Sequence, residues 1–165
     1  MVYTFVYNSP LGKITMASNG IALTGLWFDG QKYFADNIKG EQKEKCLPVF
    51  AETAKWLDVY FSGKEPDFMP DILITGTPFR KRVAEIMLTI PYGKTMTYGE
   101  IASIIANEKG IEKMSARAVG GAVGHNSISI IIPCHRVVGT NGSLTGYAGG
   151  IDRKIALLNL EKNEK

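Results

Sequence analysis

TYGEIASIIA, residues 97–106, and SARAVGGAV, residues 115–123, decide the fold of this 165-residue chain. Each opens on a hydroxyl able to cap a helix. Thr97 is followed three residues later by Glu100, a capping box, and Ser115 precedes a run of small and apolar residues. They predict helices over 98–106 and 116–123. A third helix comes before them. Thr77-Pro78 sets a cap ahead of a proline at the first helical position, and Val83, Ile86, Met87 and Ile90 form the apolar face. That helix runs to about Leu88, and Ile90-Pro91-Tyr92-Gly93 breaks the chain after it. Short helices joined in this way suggest a helix-turn-helix unit, although the same pattern also fits three ordinary helices.

Working outward toward the N-terminus, the pattern changes to strands. Val2 to Tyr7, Lys13 to Ser18 and Ile21 to Phe28 are rich in β-branched and aromatic residues. Turn clusters at Asn8–Gly12 and Asn19-Gly20 separate them. Gly30 to Lys45 is polar and reads as irregular or weakly helical. Phe50, Ala54, Leu57 and Phe61 share one helical face, with Gly63 placed to end it. The expected fold class is therefore α+β. A small antiparallel sheet with a helix occupies residues 1–76, and a helical, helix-turn-helix-like domain occupies 77–165. On the C-terminal side, Ile128 to Ile132 reads as a short buried strand stopped by Pro133. Residues 139–150 carry five glycines and read as a loop, and Asp152 caps a last helix to about Glu161.

The net charge of +3 is unevenly placed. Residues 1–76 hold 7 Lys/Arg against 9 Asp/Glu, whereas 77–165 hold 12 against 7, so all the excess positive charge lies in the helical half. This favours a polyanionic partner for that half, although chance asymmetry would look the same. No apolar run approaches the roughly 20 residues needed to span a bilayer. The N-terminus also lacks the features of a signal peptide. An intracellular, cytoplasmic protein with no membrane partner is expected. Cys46 and Cys134 are the only cysteines, in dissimilar contexts, and a disulfide between them is disfavoured in a reducing compartment. Together with His125 and His135 they make a poor zinc inventory, so no metal is expected.

IIIPCHRV, residues 130–137, carries the chemistry. A thiol attacks carbon as its thiolate, and a neighbouring imidazole can take the proton. Direct contact between sequence neighbours is awkward, and a bridging water is the easier geometry. His135 needs a partner to fix its tautomer. Glu161, on the last helix beside Leu157, Leu158 and Leu160, is the candidate carboxylate. A buried cysteine beside a histidine is more often structural, so the dipeptide alone does not decide the matter.

Pro133-Cys134-His135-Arg136-Val137 resembles the active-site motif of the O6-alkylguanine-DNA alkyltransferases, the methylated-DNA–protein-cysteine methyltransferases. The resemblance extends along nearly the whole chain. Ala116-Arg117-Ala118-Val119-Gly120-Gly121-Ala122 is similar to that family's recognition helix, Asn126 to its hinge asparagine, and Thr97-Tyr98 to its active-site tyrosine region. Gly146-Tyr147-Ala148-Gly149-Gly150 resembles its substrate loop and Leu160-Glu161 its final glutamate. Ser9-Pro10-Leu11-Gly12 and Gly25-Leu26-Trp27-Phe28 fit its N-terminal domain.

The resemblance implies a ribonuclease-H-like N-terminal domain and a winged-helix-like C-terminal domain. The implied activity is irreversible, stoichiometric transfer of an alkyl group from O6-alkylguanine, less readily O4-alkylthymine, to Cys134. The base would be extruded from double-stranded DNA approached through the minor groove. In this reading Cys134, His135, Glu161, Tyr98 and Asn126 are catalytic. Arg117 fills the space left by the flipped base, and Ala116, Ala118, Gly120, Gly121 and Thr97 meet the DNA. Val137, Tyr147, Ala148 and Gly149 form the pocket. Where the family often has serine, this chain has Ala148, so any contact there falls to its backbone N–H. Arg136 is expected to be structural, His125 a surface or loop residue and Cys46 a bystander. No cofactor and a monomeric protein are implied, acting at the nucleoid in a bacterial or archaeal cell. Two alternatives use other chemistry: a non-catalytic binder that flags alkylated bases to other repair systems, and a thiol hydrolase.

Overall fold

A computed structural model describes residues 1–144 and 146–162. β1 (Val2–Ser9) and β2 (Gly12–Ser18) pair antiparallel, and β3 (Leu23–Phe28) pairs antiparallel with β2. The second turn is held by Asn19, whose side-chain oxygen accepts from the amides of Ile21 and Ala22. β4 (Gln42–Glu44) then adds to the far side of β1, giving the order β3-β2-β1-β4. This corrects the sequence reading in two ways. Part of the polar segment over 30–45 is a strand, and it runs parallel to β1, so the sheet is not wholly antiparallel. The reason is the open edge of β1, whose main-chain groups need partners: Val2 donates to Glu41 and Thr4 accepts from Lys45. No side-chain pattern announces such a pairing.

α1 (Pro48–Phe61) packs on the sheet. Phe50 stacks on Phe5 with ring centroids 6.1 Å apart, and Leu57 and Tyr60 are fully buried. In the C-terminal part, α2 (Pro78–Met87), α3 (Tyr98–Lys109) and α4 (Ala116–Gly124) begin where their caps predict. Thr77, Thr97 and Ser115 accept from the amides of Arg80, Glu100 and Ala118. α3 runs three residues beyond Ala106, to Lys109, because Gly110 supplies the left-handed residue that ends it at φ 65°. α5 (Ile151–Lys162) starts at Ile151, which places Asp152 inside the first turn rather than at the cap. Its carboxylate there still complements the helix dipole. Two-residue strands β5 (Met96–Thr97) and β6 (Val137–Val138) form a parallel pair that ties the start of α3 to the segment after Cys134.

The segment 128–132 is buried but is not a strand. Only Ser127 and Ser129 bond to the sheet, both through Leu26. Beyond that point the chain coils, with Ile132 N–H donating to Ile128 C=O and Ile130 at φ 70°. Asn126 drives this. Its amide nitrogen donates to the carbonyls of both Ile128 and Ile132, and its oxygen accepts from Ile128 N–H. One side chain thus satisfies three main-chain groups that a ladder would otherwise serve. A β-branched run signals burial here, and a polar residue upstream decides its shape.

Asn126→Ala removes all three bonds from a half-buried turn, and a destabilisation of about 2–4 kcal/mol is expected. Urea unfolding checks this; an unchanged midpoint would show that the turn stands without the amide.

Candidate active site

Pro133 ends the coiled segment, and Cys134–Arg136 form a single 3-10 turn. That turn separates the neighbours. Cys134 lines a cavity of about 390 Å³, while the His135 ring is fully buried and does not line it. The thiol and the imidazole therefore do not share a wall of the cavity.

α5 supplies the partner for His135. Lys154, Leu157 and Glu161 fall on one face at i, i+3 and i+7, and all three are buried against the active-site turn. Glu161 Oε2 lies 2.5 Å from His135 Nε2 and accepts from the Tyr60 hydroxyl at 2.6 Å. Glu161 Oε1 accepts from Arg136 Nε at 2.8 Å and from the Gly93 amide at 2.9 Å. Four donors thus surround one carboxylate. Burial alone would raise its pKa, but the hydrogen bonds from His135 and Arg136, with the charge of Arg136, outweigh that and hold it down to about 2. For His135 the balance goes the other way: burial keeps the imidazole neutral, with its pKa below the ordinary value despite Glu161. The bond to Glu161 places the proton on Nε2 and leaves Nδ1 as the free base. Nδ1 is buried without a hydrogen-bond partner among the described residues.

Burial pushes the Cys134 thiol above its ordinary pKa, against the opposing influence of Asn126, Lys154 and Tyr147. At rest the sulfur is a neutral thiol. Lys154 is fully buried, and its ammonium donates to the carbonyls of Val137 at 2.6 Å and Gly146 at 3.1 Å. Burial also lowers its pKa, and the charge of Cys134 opposes that.

Tyr98, Gly120, Gly121, Tyr147 and Ala148 line the cavity with Cys134. A Cβ on Gly120 would still clear the Tyr98 ring by 3.9 Å, so the bare helix face there leaves open space. Other predicted site residues lie elsewhere. Arg117 is exposed on α4, outside the cavity, at the helical spacing that puts it over Gly120 and Gly121. Ala116 and Ala118 are exposed beside it. The Thr97 hydroxyl is engaged in capping α3. Val137 lies behind the cavity with its carbonyl on Lys154. Gly149 is a packing point: a Cβ there would come within 2.6 Å of the Tyr147 ring and 3.2 Å of Phe28. Asn126 reaches the site through the turn it folds. Cys46 is exposed and unpaired. Among the described residues, no group of three or more His, Cys, Asp or Glu could hold a metal ion, and no helix is long and apolar enough to cross a membrane.

Sequence reasoning missed four contributors. Lys154 had a usable signal, its place on the same helical face as Leu157 and Glu161. Tyr60 had none beyond its place on the apolar face of α1, which reads as core packing. Lys32 and Tyr33 come from the polar segment after β3 and line the cavity. Lys32 N–H donates to Ala148 C=O at 2.8 Å, and Tyr33 stacks on His125 at 3.8 Å. His125, half-buried in the turn after α4, thus lines the cavity as well.

The chain's similarities fall on both halves. Residues 1–70 match the model for the 6-O-methylguanine DNA methyltransferase ribonuclease-like domain, and residues 78–163 match that for its DNA-binding domain. A methylated-DNA–protein-cysteine methyltransferase of Mycobacterium tuberculosis is 43% identical over 163 residues, covering 99% of this chain and 94% of the relative. One from Methanosarcina barkeri is 43% identical over 166 residues, covering 98% of each. The crystal structure of Mycobacterium tuberculosis OGT in complex with DNA superposes with a TM-score of 0.82 at 43% identity, over 98% of this chain and 92% of that one.

The ion cluster makes stability acid-sensitive. His135, held neutral, costs stability once the unfolded chain can take a proton, below about 6.5. Glu161 contributes fully above its unfolded value of 4.5, and this contribution is lost as pH falls toward 2. The stability gap between wild type and Glu161→Gln should therefore narrow as pH falls from 4.5 toward 2, by urea unfolding across a pH series. A constant gap would show that Glu161 is not the acid-labile group.

Proposed function

Because this chain belongs to the 6-O-methylguanine DNA methyltransferase family over both its ribonuclease-like and its DNA-binding parts, we propose that Cys134 is the residue that receives the alkyl group. Repair of DNA by alkyl transfer is the activity of the chain, and DNA is its partner. The non-catalytic binder is not favoured. One observation carries the assignment to Cys134: it is the cysteine on the wall of a cavity of purine-accommodating size, backed by a buried base and carboxylate.

The atom to be attacked is buried in stacked duplex, so the nucleotide must leave the helix to reach the cavity. The α3–α4 pair, with residues 77–165 as the DNA-binding and transfer unit, presents the small residues Ala116, Ala118, Gly120 and Gly121 to the minor groove. Arg117 fills the vacated stack. In the cavity, Tyr147 and the Gly146–Ala148 stretch wall the base, with the Ala148 amide donating to O6.

The transfer is an in-line displacement. As the sulfur–carbon bond forms and the carbon–O6 bond breaks, the thiol proton passes through water to His135 Nδ1. Glu161 balances the imidazolium charge. Tyr98 donates a proton toward N3 of the departing base, which is otherwise a poor leaving anion. The site suits this sequence because the thiol is neutral until a base is used, so reactivity is confined to an occupied cavity. The product thioether has no route back, and the protein is consumed. Guanine alkylated at O6 is the principal substrate, thymine alkylated at O4 a lesser one, and the site of action is the cytoplasm or nucleoid. The chain acts as a monomer without a cofactor.

Incubation with duplex oligonucleotide bearing labelled O6-methylguanine should move the label to the protein, raising its mass by one methyl at Cys134. Cys134→Ala should abolish transfer and retain DNA binding; label remaining on the DNA with wild-type protein would refute the assignment. Arg117→Ala should slow repair in duplex by about tenfold or more while sparing reaction with free O6-benzylguanine. Equal losses on both substrates would exclude an extrusion role.

A further inference from the structure

The N-terminal part lies against the reaction site at one chemically pointed place. Tyr60, on α1, is fully buried, and its hydroxyl donates to Glu161 Oε2 at 2.6 Å across 101 residues of sequence. The same hydroxyl lies 3.3 Å from His135 Nε2. Its ring is fixed by Trp56, stacked at 5.3 Å, and by the edges of Phe61 and Tyr92 at 5.5 and 6.2 Å. A buried aromatic needs only its ring to fill the core; here the polar tip is committed to the carboxylate that orients the histidine.

We propose that Tyr60 is a positioning residue of the proton relay, its O–H occupying the second donor place on Glu161 Oε2 and so setting how strongly that carboxylate draws on His135. This rests on Cys134 being the alkyl acceptor. The N-terminal domain then tunes the chemistry as well as supporting the fold.

The electrostatic logic is direct. A hydrogen bond to an ionised carboxylate favours the ionised form and lowers its basicity. Without Tyr60, His135 is the remaining donor to Oε2. A more basic carboxylate holds the imidazolium more tightly, so His135 takes a proton from solvent at higher pH and is lost as a base. The titratable and charged groups around this point are His135 and Arg136 on the active-site turn, Glu161 and Lys154 on α5, and Tyr92 in the segment before β5. On the far side of His135 stand Cys134 and Tyr147. None but Tyr60 shares Oε2 with the histidine among the described bonds.

The test is the pH dependence of Cys134 alkylation by free O6-benzylguanine, which keeps titration of DNA contacts out of the readout. Three proteins are compared from about pH 5 to about pH 9: wild type, Tyr60→Phe, and the chain with 3-fluorotyrosine at position 60 alone. Tyr60→Phe keeps the ring and removes the donor, and its acid limb should move to higher pH by about half a unit or more. The fluorinated phenol is a stronger donor with the same packing, and its acid limb should move to lower pH. It stays protonated, because burial and the charge of Glu161 push the Tyr60 hydroxyl far above its ordinary pKa. Opposite displacements are a signature that a packing role cannot produce. Limbs that superimpose on wild type, or move together, overturn the proposal while leaving Cys134 as acceptor. Wild-type protein that takes no label from methylated DNA overturns the acceptor assignment and the role of Tyr60 with it.

Discussion

The carboxylate of Glu161 is the point on which the described structure converges. An isolated ionised carboxylate in the interior is prohibitively unfavourable, and it persists only when its oxygens are satisfied. Here the donors come from His135 and Arg136 on the active-site turn, Gly93 in the connection after α2, and Tyr60 on α1. The acceptor is ionised, so all four bonds are of the stronger, charge-assisted kind. One buried charge thereby joins the last helix, the reactive turn, the segment before β5 and the N-terminal helix. Arg136, expected from the sequence to be structural, is drawn inward by the same requirement and also donates to Ile90 C=O at 2.8 Å.

In the proposed reading, the cluster lets a buried cysteine stay inert at rest and react with a bound base. A thiolate maintained at rest would need a strong local cation at the sulfur. Burial instead keeps Cys134 protonated, with Lys154 spending its donors on the carbonyls of Val137 and Gly146. The base is held neutral on the other side of the turn. In the proposed reading this arrangement shields the acceptor thiol from solvent electrophiles and oxidants, because deprotonation accompanies attack. For a protein used once per lesion, that protection matters more than turnover rate.

The cavity itself is shared between the two halves of the chain. Lys32 bonds to Ala148 of the loop 146–150 through its amide, and Tyr33 stacks on His125 at the end of α4. Arg153 reaches from α5 to the carbonyls of Leu11 and Gly149 and covers the Phe28 ring at 4.7 Å. The loop 146–150 is therefore braced at Ala148 by the segment after β3 and at Gly146 and Gly149 by α5. Rigid placement of a glycine-rich loop needs outside support of this kind, since glycine pays the largest entropy on ordering.

Local features were legible in the sequence because their causes lie within a few residues. Thr77, Thr97 and Ser115 cap the amides three positions on. Asn19-Gly20 turns β2 into β3, and PCHRV marked in a family-specific form the turn that lines the cavity through Cys134. What the chain does at long range was not legible. The β-branched run 128–132 says buried, yet its shape follows from where Asn126 points. β4 exists because β1 has an open edge, and Tyr60 looks like any core aromatic until α1 is laid beside α5. Caps, turns and helical faces depend on neighbours that the chain supplies at fixed spacing. The partners of a buried polar group are chosen by packing, between residues as far apart as Tyr60 and Glu161, and only the folded chain brings them within a hydrogen bond.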